Sequence, residues 1–248
     1  MDAADYYSGL VADAYAKLKS VSFAAEPYAQ FVRSSGQPGL EIGCGDGVPL
    51  LELCAAGLDV DGVDSSADMV QRCRANAAAR GLQVEVFHQR VEQLSLDRRY
   101  ASIYFAGPTF NLLPDDETAR QALRAIARQL TGTGTAMIPL WIPGPTPEDE
   151  LGVARQHEDD DGTVLRFIPV AETYDRRQRT RVTTTRYQRV MADGDQTVDR
   201  EWVLHWHTAA GFRRLCAEAE VRLVGLVDDA TGSDADDDST SFTATVQA

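Results

Sequence analysis

The spacing of apolar residues predicts an alternation of helices and strands over most of the chain. Tyr6, Tyr7, Leu10, Val11, Ala14, Tyr15 and Leu18 recur every three or four positions, an amphipathic helix over Asp5–Lys19. A short helix over Glu26–Arg33 is expected next, broken by "SSGQPG". The strand "GLEIGC", a helix over Pro49–Ala56, the strand "LDVDGVDSS" and a helix over Ala67–Arg80 with Gly81 as C-cap then succeed one another. "QVEVFHQ" and "YASIYFAG" read as the third and fourth strands, Asp116–Leu130 as a helix and "AMIPLWIP" as the fifth strand. Strands alternating with helices imply βαβ units in a doubly wound, mostly parallel sheet.

After Pro143 the period changes. Strands around Val164–Val170, Arg179–Val190 and Arg200–His207 follow without a helix between them, which predicts an antiparallel β insertion. Thr208–Glu220 returns as a helix, and "VRLVGLV" and "SFTATVQ" form a final pair of strands around an acidic loop, Asp228–Asp238, with six aspartates. The expected organisation is N-terminal lid helices at 1–35, a Rossmann-like domain at 36–145 and 208–248, and an insertion at 146–207 that caps a substrate.

Composition narrows the partners. With 24 basic and 38 acidic residues the net charge is −14, which disfavours nucleic acid. No apolar run approaches the ~18 residues of a membrane span. The N-terminus reads "MDAADYYSG", without a basic and then apolar leader, so a cytoplasmic location is expected. Cys44, Cys54, Cys73 and Cys216 show no C-x-x-C pairing and read as free thiols, and no metal site is expected.

The first strand runs into "LEIGCGDG", where Gly43, Gly45 and Gly47 follow Glu41. Such a turn can take the pyrophosphate of a dinucleotide, the methionine half of S-adenosylmethionine, or nothing at all. A dinucleotide turn wants its third glycine at the position of Val48, which Pro49 follows here. Asp64, 21 residues after Gly43 at the end of the next strand, can accept both hydroxyls of a ribose or can cap a helix.

These residues resemble the class I S-adenosylmethionine-dependent methyltransferases, small-molecule subset. "LEIGCGDG" is similar to their first motif and "VDGVDSSADMV" to their second; "RRYASIYFAGPTFNLL" resembles the fourth strand and its substrate-facing loop, and "LTGTGTAMI" the loop before the fifth. The resemblance covers about Tyr7–Pro143 and, more loosely, Trp202–Val227. It implies a Rossmann-like seven-stranded sheet with S-adenosyl-L-methionine as cofactor. Glu41, Gly43, Gly45 and the backbone of Cys44 would meet the methionine moiety, Asp64 the ribose, and Ser65 and Met69 the adenine. The family's adenine-side aspartate is Arg90 here, so Gln89 or the backbone of Val91 would serve the base instead. Tyr7 and Tyr15 resemble lid aromatics that close over the ligand, or else pack in the core.

Methyl transfer needs alignment above all, and a base only where the acceptor must lose a proton. "EWVLHWH" puts His205 and His207 on one strand face, as a general base or a structural pair. Phe110 and Asn111, in the loop after the fourth strand, are the other candidates at the reacting centre. Six arginines between Arg176 and Arg189 read as an exposed edge strand, or as recognition of an anionic acceptor. The expected activity is transfer to N, O or C of a small-molecule methyl acceptor, with a homodimer left open. A nicotinamide-dependent oxidoreductase and a non-catalytic S-adenosylmethionine-binding protein are the alternatives.

Overall fold

The computed structural model describes residues 3–18, 23–192 and 194–248. The first expected helix is two, α1 (Ala3–Tyr6) and α2 (Leu10–Leu18), while Lys19 lies outside the described residues. The break has a cause: the Gly9 N–H donates to Asp68 Oδ2 at 2.7 Å. Next come α3 (Ala25–Ser35), β1 (Gly39–Ile42), α4 (Leu50–Ala55), β2 (Val60–Asp64), α5 (Ala67–Ala79), β3 (Val86–His88), β4 (Tyr100–Phe105), α6 (Asp116–Gln129) and β5 (Leu130–Trp141). Four strands without helices follow, β6 (Arg155–Glu158), β7 (Val164–Asp175), β8 (Thr180–Val190) and β9 (Gln196–His205). The chain closes with α7 (Ala209–Ala219), β10 (Arg222–Asp228) and β11 (Ser241–Gln247).

The seven-stranded sheet has the order β10-β11-β5-β4-β1-β2-β3, parallel from β5 to β3 and antiparallel where β11 meets β5 and β10. Both faces are covered, so its central strands β1, β2 and β4 are buried along nearly their whole length. On β4 the pleat sends Ile103 and Phe105 into one core with α6 and α7, and Tyr104 into the other with α3, α4 and α5. Side-chain caps start three of the helices: Ser66 accepts from Met69 N, Asp115 from Thr118 N and Thr208 from Gly211 N. Among the described residues no helix is long and apolar enough to cross a membrane.

The four remaining strands form a separate antiparallel sheet, β6-β7-β8-β9. It departs from the sequence reading in two ways. β6 is an additional, fully exposed strand whose polar sequence carries no apolar alternation. The arginine-bearing strand β8 is central rather than at an edge: β7 and β9 pair with it, and Arg181, Thr183, Thr185 and Tyr187 of one face are buried. The β7–β8 register shifts between Pro169 and Ala171, as a proline without an N–H requires. A third apolar cluster joins Tyr6, Val11, Ala14 and Leu18 to Leu165 and Tyr187, so the N-terminal helices dock on this sheet.

Gly62 in β2 leaves no room for a side chain, since a Cβ there would meet Leu50 Cδ2 at 2.6 Å and Cys44 Sγ at 3.0 Å. Gly62→Ala is expected to destabilise the fold by ~1–3 kcal/mol, read from urea unfolding midpoints. An unchanged midpoint would show that the α4 packing yields freely.

Candidate active site

A cleft opens at the C-terminal ends of β1, β2 and β4, where ligands settle in open parallel sheets. It is built first from the turn after β1. Gly43 and Gly45 have φ of 72° and 54°, a region that side-chain-bearing residues rarely adopt. A Cβ on Gly43 would also lie 2.6 Å from Thr109 Cγ2, so the backbone lies bare against the loop that follows β4. Asp64 ends β2 beside this turn. Its Oδ2 accepts from Gly45 N and its Oδ1 from Ser66 N, both at 2.8 Å. Burial raises its pKa above the ordinary aspartate value, and the N–H groups of Ser66 and Gly45 offset part of that rise.

Of the residues expected at the ligand, Tyr7, Tyr15, Gly43, Gly45, Asp64, Ser65, Met69, Gln89 and Val91 all line this one cleft. Tyr7 and Tyr15 pack edge to face at 5.6 Å between ring centres. Burial pushes the Tyr7 hydroxyl well up and that of Tyr15 to about 12, so both stay neutral donors.

Two of the expected residues have side chains that lie off the cleft lining. Glu41 is wholly buried below the turn and is not part of the cleft lining. Its Oε2 accepts from the Tyr104 hydroxyl at 2.8 Å, its Oε1 has no partner among the described residues, and burial holds its pKa well above the usual range. Cys44 is likewise buried away from the lining, where contact with Cys73 and then burial push its thiol pKa up. The strand pleat turns Glu41 into the core, and the glycine turn past the end of β1 carries Cys44 there, beside Leu50 of α4.

The adenine side is also rearranged. The Gln89 amide is spent on the backbone of Ser95, at 2.9 and 3.1 Å. Arg90 and Glu92 line the cleft beside Val91, on a 3-10 turn over Val91–Gln93. Sequence reasoning missed Glu92, although an acid two positions past the unexpected Arg90 was a usable signal. It also missed Thr109 and Leu113, brought to the lining by the fold of the loop after β4, and Thr118, in the first turn of α6.

The catalytic candidates sit elsewhere. Asn111 clamps the end of β5, its Nδ2 donating to Trp141 O at 2.5 Å. Phe110 is buried among Phe105, Phe212 and His207. His205 and His207 do come together, with ring centres 5.1 Å apart, but both are buried outside the cleft lining. His205 Nε2 lies 2.9 Å from Asp116 Oδ1, and Arg179 Nη2 donates to Asp116 Oδ2 at 2.5 Å. Burial, and then the neighbouring His205, depress His207 to about 3, so it is neutral at pH 7. Burial opposes ionisation of Asp116, yet the hydrogen bonds from Arg179 and His205 outweigh it and hold that carboxyl at about 2.

Comparison with known proteins fits this geometry. Residues 40–134 match a family model described as a methyltransferase domain. A Geobacillus sp. (strain WCH70) protein, classed by its name with the methyltransferases, is 27% identical over 113 residues. That match spans 46% of this chain and 46% of the relative, less than half the length of either. Two solved structures share the whole architecture. The CcbJ methyltransferase from Streptomyces caelestis has a TM-score of 0.73 at 21% identity, covering 96% of each chain. The sugar N-methyltransferase KedS8 from Streptoalloteichus sp ATCC 53650 has a TM-score of 0.72 at 20% identity, covering 95% of this chain and 92% of its own. Residues 40–134 are thus similar to a methyltransferase domain, and the chain as a whole shares the fold of these two solved methyltransferases.

Proposed function

We propose that this protein transfers a methyl group from S-adenosylmethionine to N, O or C of a small metabolite by in-line displacement. The observation that carries the reading is the convergence of the bare glycine turn, Asp64, Met69 and the lid tyrosines on one cleft. When bound, S-adenosylmethionine supplies a methyl group already activated on a positively charged sulfur. The chain's own residues hold and align it. The Gly43 and Gly45 backbone admits close approach. Each Asp64 oxygen already accepts one backbone N–H, which orients the carboxylate and leaves a lone pair on each oxygen for a ribose hydroxyl. Met69 and Val91 offer apolar walls to the adenine, and Glu92 an acceptor for its amino group. Val48, followed by Pro49, stands where a dinucleotide turn takes its third glycine, which argues against the nicotinamide alternative.

Positioning alone can supply ~7–11 kcal/mol of the barrier, and this reading routes no proton through His205, His207 or Asn111, which lie outside the cleft lining. The similarity to a sugar N-methyltransferase makes an amino sugar the first acceptor to try.

Calorimetry with S-adenosylhomocysteine tests the binding half. Wild-type protein is expected to bind it, and Asp64→Asn to weaken binding by ~10–100-fold, the loss of two hydrogen bonds to a charged acceptor. The ionised carboxylate is the binding form. Affinity is therefore full above the raised pKa of Asp64 and falls as pH drops through it, at higher pH than an ordinary aspartate would dictate. The activity half is read by label transfer from methyl-labelled cofactor to amino sugars or a metabolite extract. Binding without transfer to any acceptor would leave a non-catalytic cofactor protein, and no binding would remove the reading altogether.

A further inference from the structure

Two imidazoles and a carboxylate from two separate segments meet where the second sheet joins the main domain. Asp116 opens α6, His205 ends β9, and His207 stands just before Thr208, the cap of α7. Asp116 Oδ1 lies 2.9 Å from His205 Nε2 and 3.5 Å from His207 Nδ1, and the three ligand atoms fall within 4.8 Å of one another. Ligand atoms held at the ~2.0–2.1 Å typical of tetrahedral zinc lie roughly 3.3 Å apart, so small side-chain adjustments close this triangle around an ion.

The surroundings suit that use. Arg179 holds the other carboxylate oxygen, Oδ2, at 2.5 Å and so presents Oδ1 to the two rings, as outer hydrogen bonds orient metal-binding carboxylates. Its Nη1 lies 3.5 Å from His207 Nδ1, at the limit of a hydrogen bond, so an ion on that nitrogen requires Nη1 to turn aside while Nη2 keeps Oδ2. His205 Nδ1 is buried without a partner among the described residues. The ring proton can therefore move from Nε2 to Nδ1, baring Nε2 as a ligand without breaking another bond. Phe110 and Phe212 pack against His207, whereas the Asp116 side chain is 47% exposed and leaves an entry path and a coordination position for water.

We propose that Asp116, His205 and His207 bind one divalent transition-metal ion of the zinc class. Two imidazoles and one carboxylate favour Zn²⁺, Co²⁺ or Ni²⁺ over Mg²⁺ or Ca²⁺. The ion ties the end of the second sheet to the first turn of α6, where Thr118 lines the cleft. The proposal does not depend on the methyl-transfer reading, because the site is assembled from residues outside the cleft lining.

The test is zinc titration of tag-free, chelator-stripped full-length protein by calorimetry. One zinc per chain is expected, with affinity at least ~10²-fold weaker in Asp116→Asn and in His205→Gln/His207→Gln. Cobalt read on the wild-type protein is independent of how those variants fold: bound Co²⁺ should show visible absorption of a tetrahedral or five-coordinate nitrogen and oxygen site, bleached by zinc. No zinc uptake up to ~1 mM would overturn the proposal. So would uptake unchanged in folded variants, which would place the ion on surface acids such as the Asp228–Asp238 loop, and so would a purely octahedral, water-like cobalt spectrum.

Discussion

The hydrogen bond from Gly45 N to Asp64 Oδ2 joins two turns that are far apart in sequence and adjacent in space. β1 and β2 run parallel with Ile42 opposite Val63, so the glycine turn and the acid emerge side by side at the same edge of the sheet. The second oxygen of Asp64 takes the N–H of Ser66, and Ser66 Oγ both accepts from Met69 N at the start of α5 and donates to Tyr7 O in the lid. One carboxylate thereby sets the turn, the helix start and the approach of the N-terminal segment. Burial makes that carboxylate costly to ionise, which a cationic or hydroxyl-bearing ligand would relieve.

The N-terminal helices transmit this arrangement to the second sheet. Asp13 pairs with Arg72 on α5 through one oxygen and with Arg189 on β8 through the other. The Tyr6 hydroxyl meets Thr185 and Tyr187 on the buried face of β8, at 3.2 and 3.1 Å. The N-terminal helices therefore bridge the cleft and the second sheet. Asp116 and Arg179 make another link, between α6 and the turn that enters β8. The second sheet is thus held at two points, one polar and apolar together through the N-terminal helices, one a cluster of charge and imidazole.

Much of this was legible in the chain. Period-two and period-3.6 patterns place the βαβ core, and Gly43, Gly45, Asp64, Ser65 and Met69 announce the cleft because turns and strand ends are local features. Side-chain destination was less legible. Glu41 and Cys44 sit within the same motif, yet the pleat of β1 buries the first and the turn after it buries the second, both away from the cleft lining. Arginines on β8 suggested an exposed edge because composition says nothing of strand order, and β8 became central only when β7 and β9 paired on its two sides. Glu92 escaped notice because a 3-10 turn, with no strong sequence signal, carries it to the lining.

By itself the sequence determined the element order, the glycine turn and the acid that faces it, since each depends on steric and hydrogen-bonding preferences within a few residues. Only the tertiary structure decided what His205, His207 and Asn111 touch. His205 meets a carboxylate 89 positions away, and Asn111 closes on the backbone of a strand 30 positions on. Contacts at such separations are set by how packed layers come together, and no local pattern of residues records that distance.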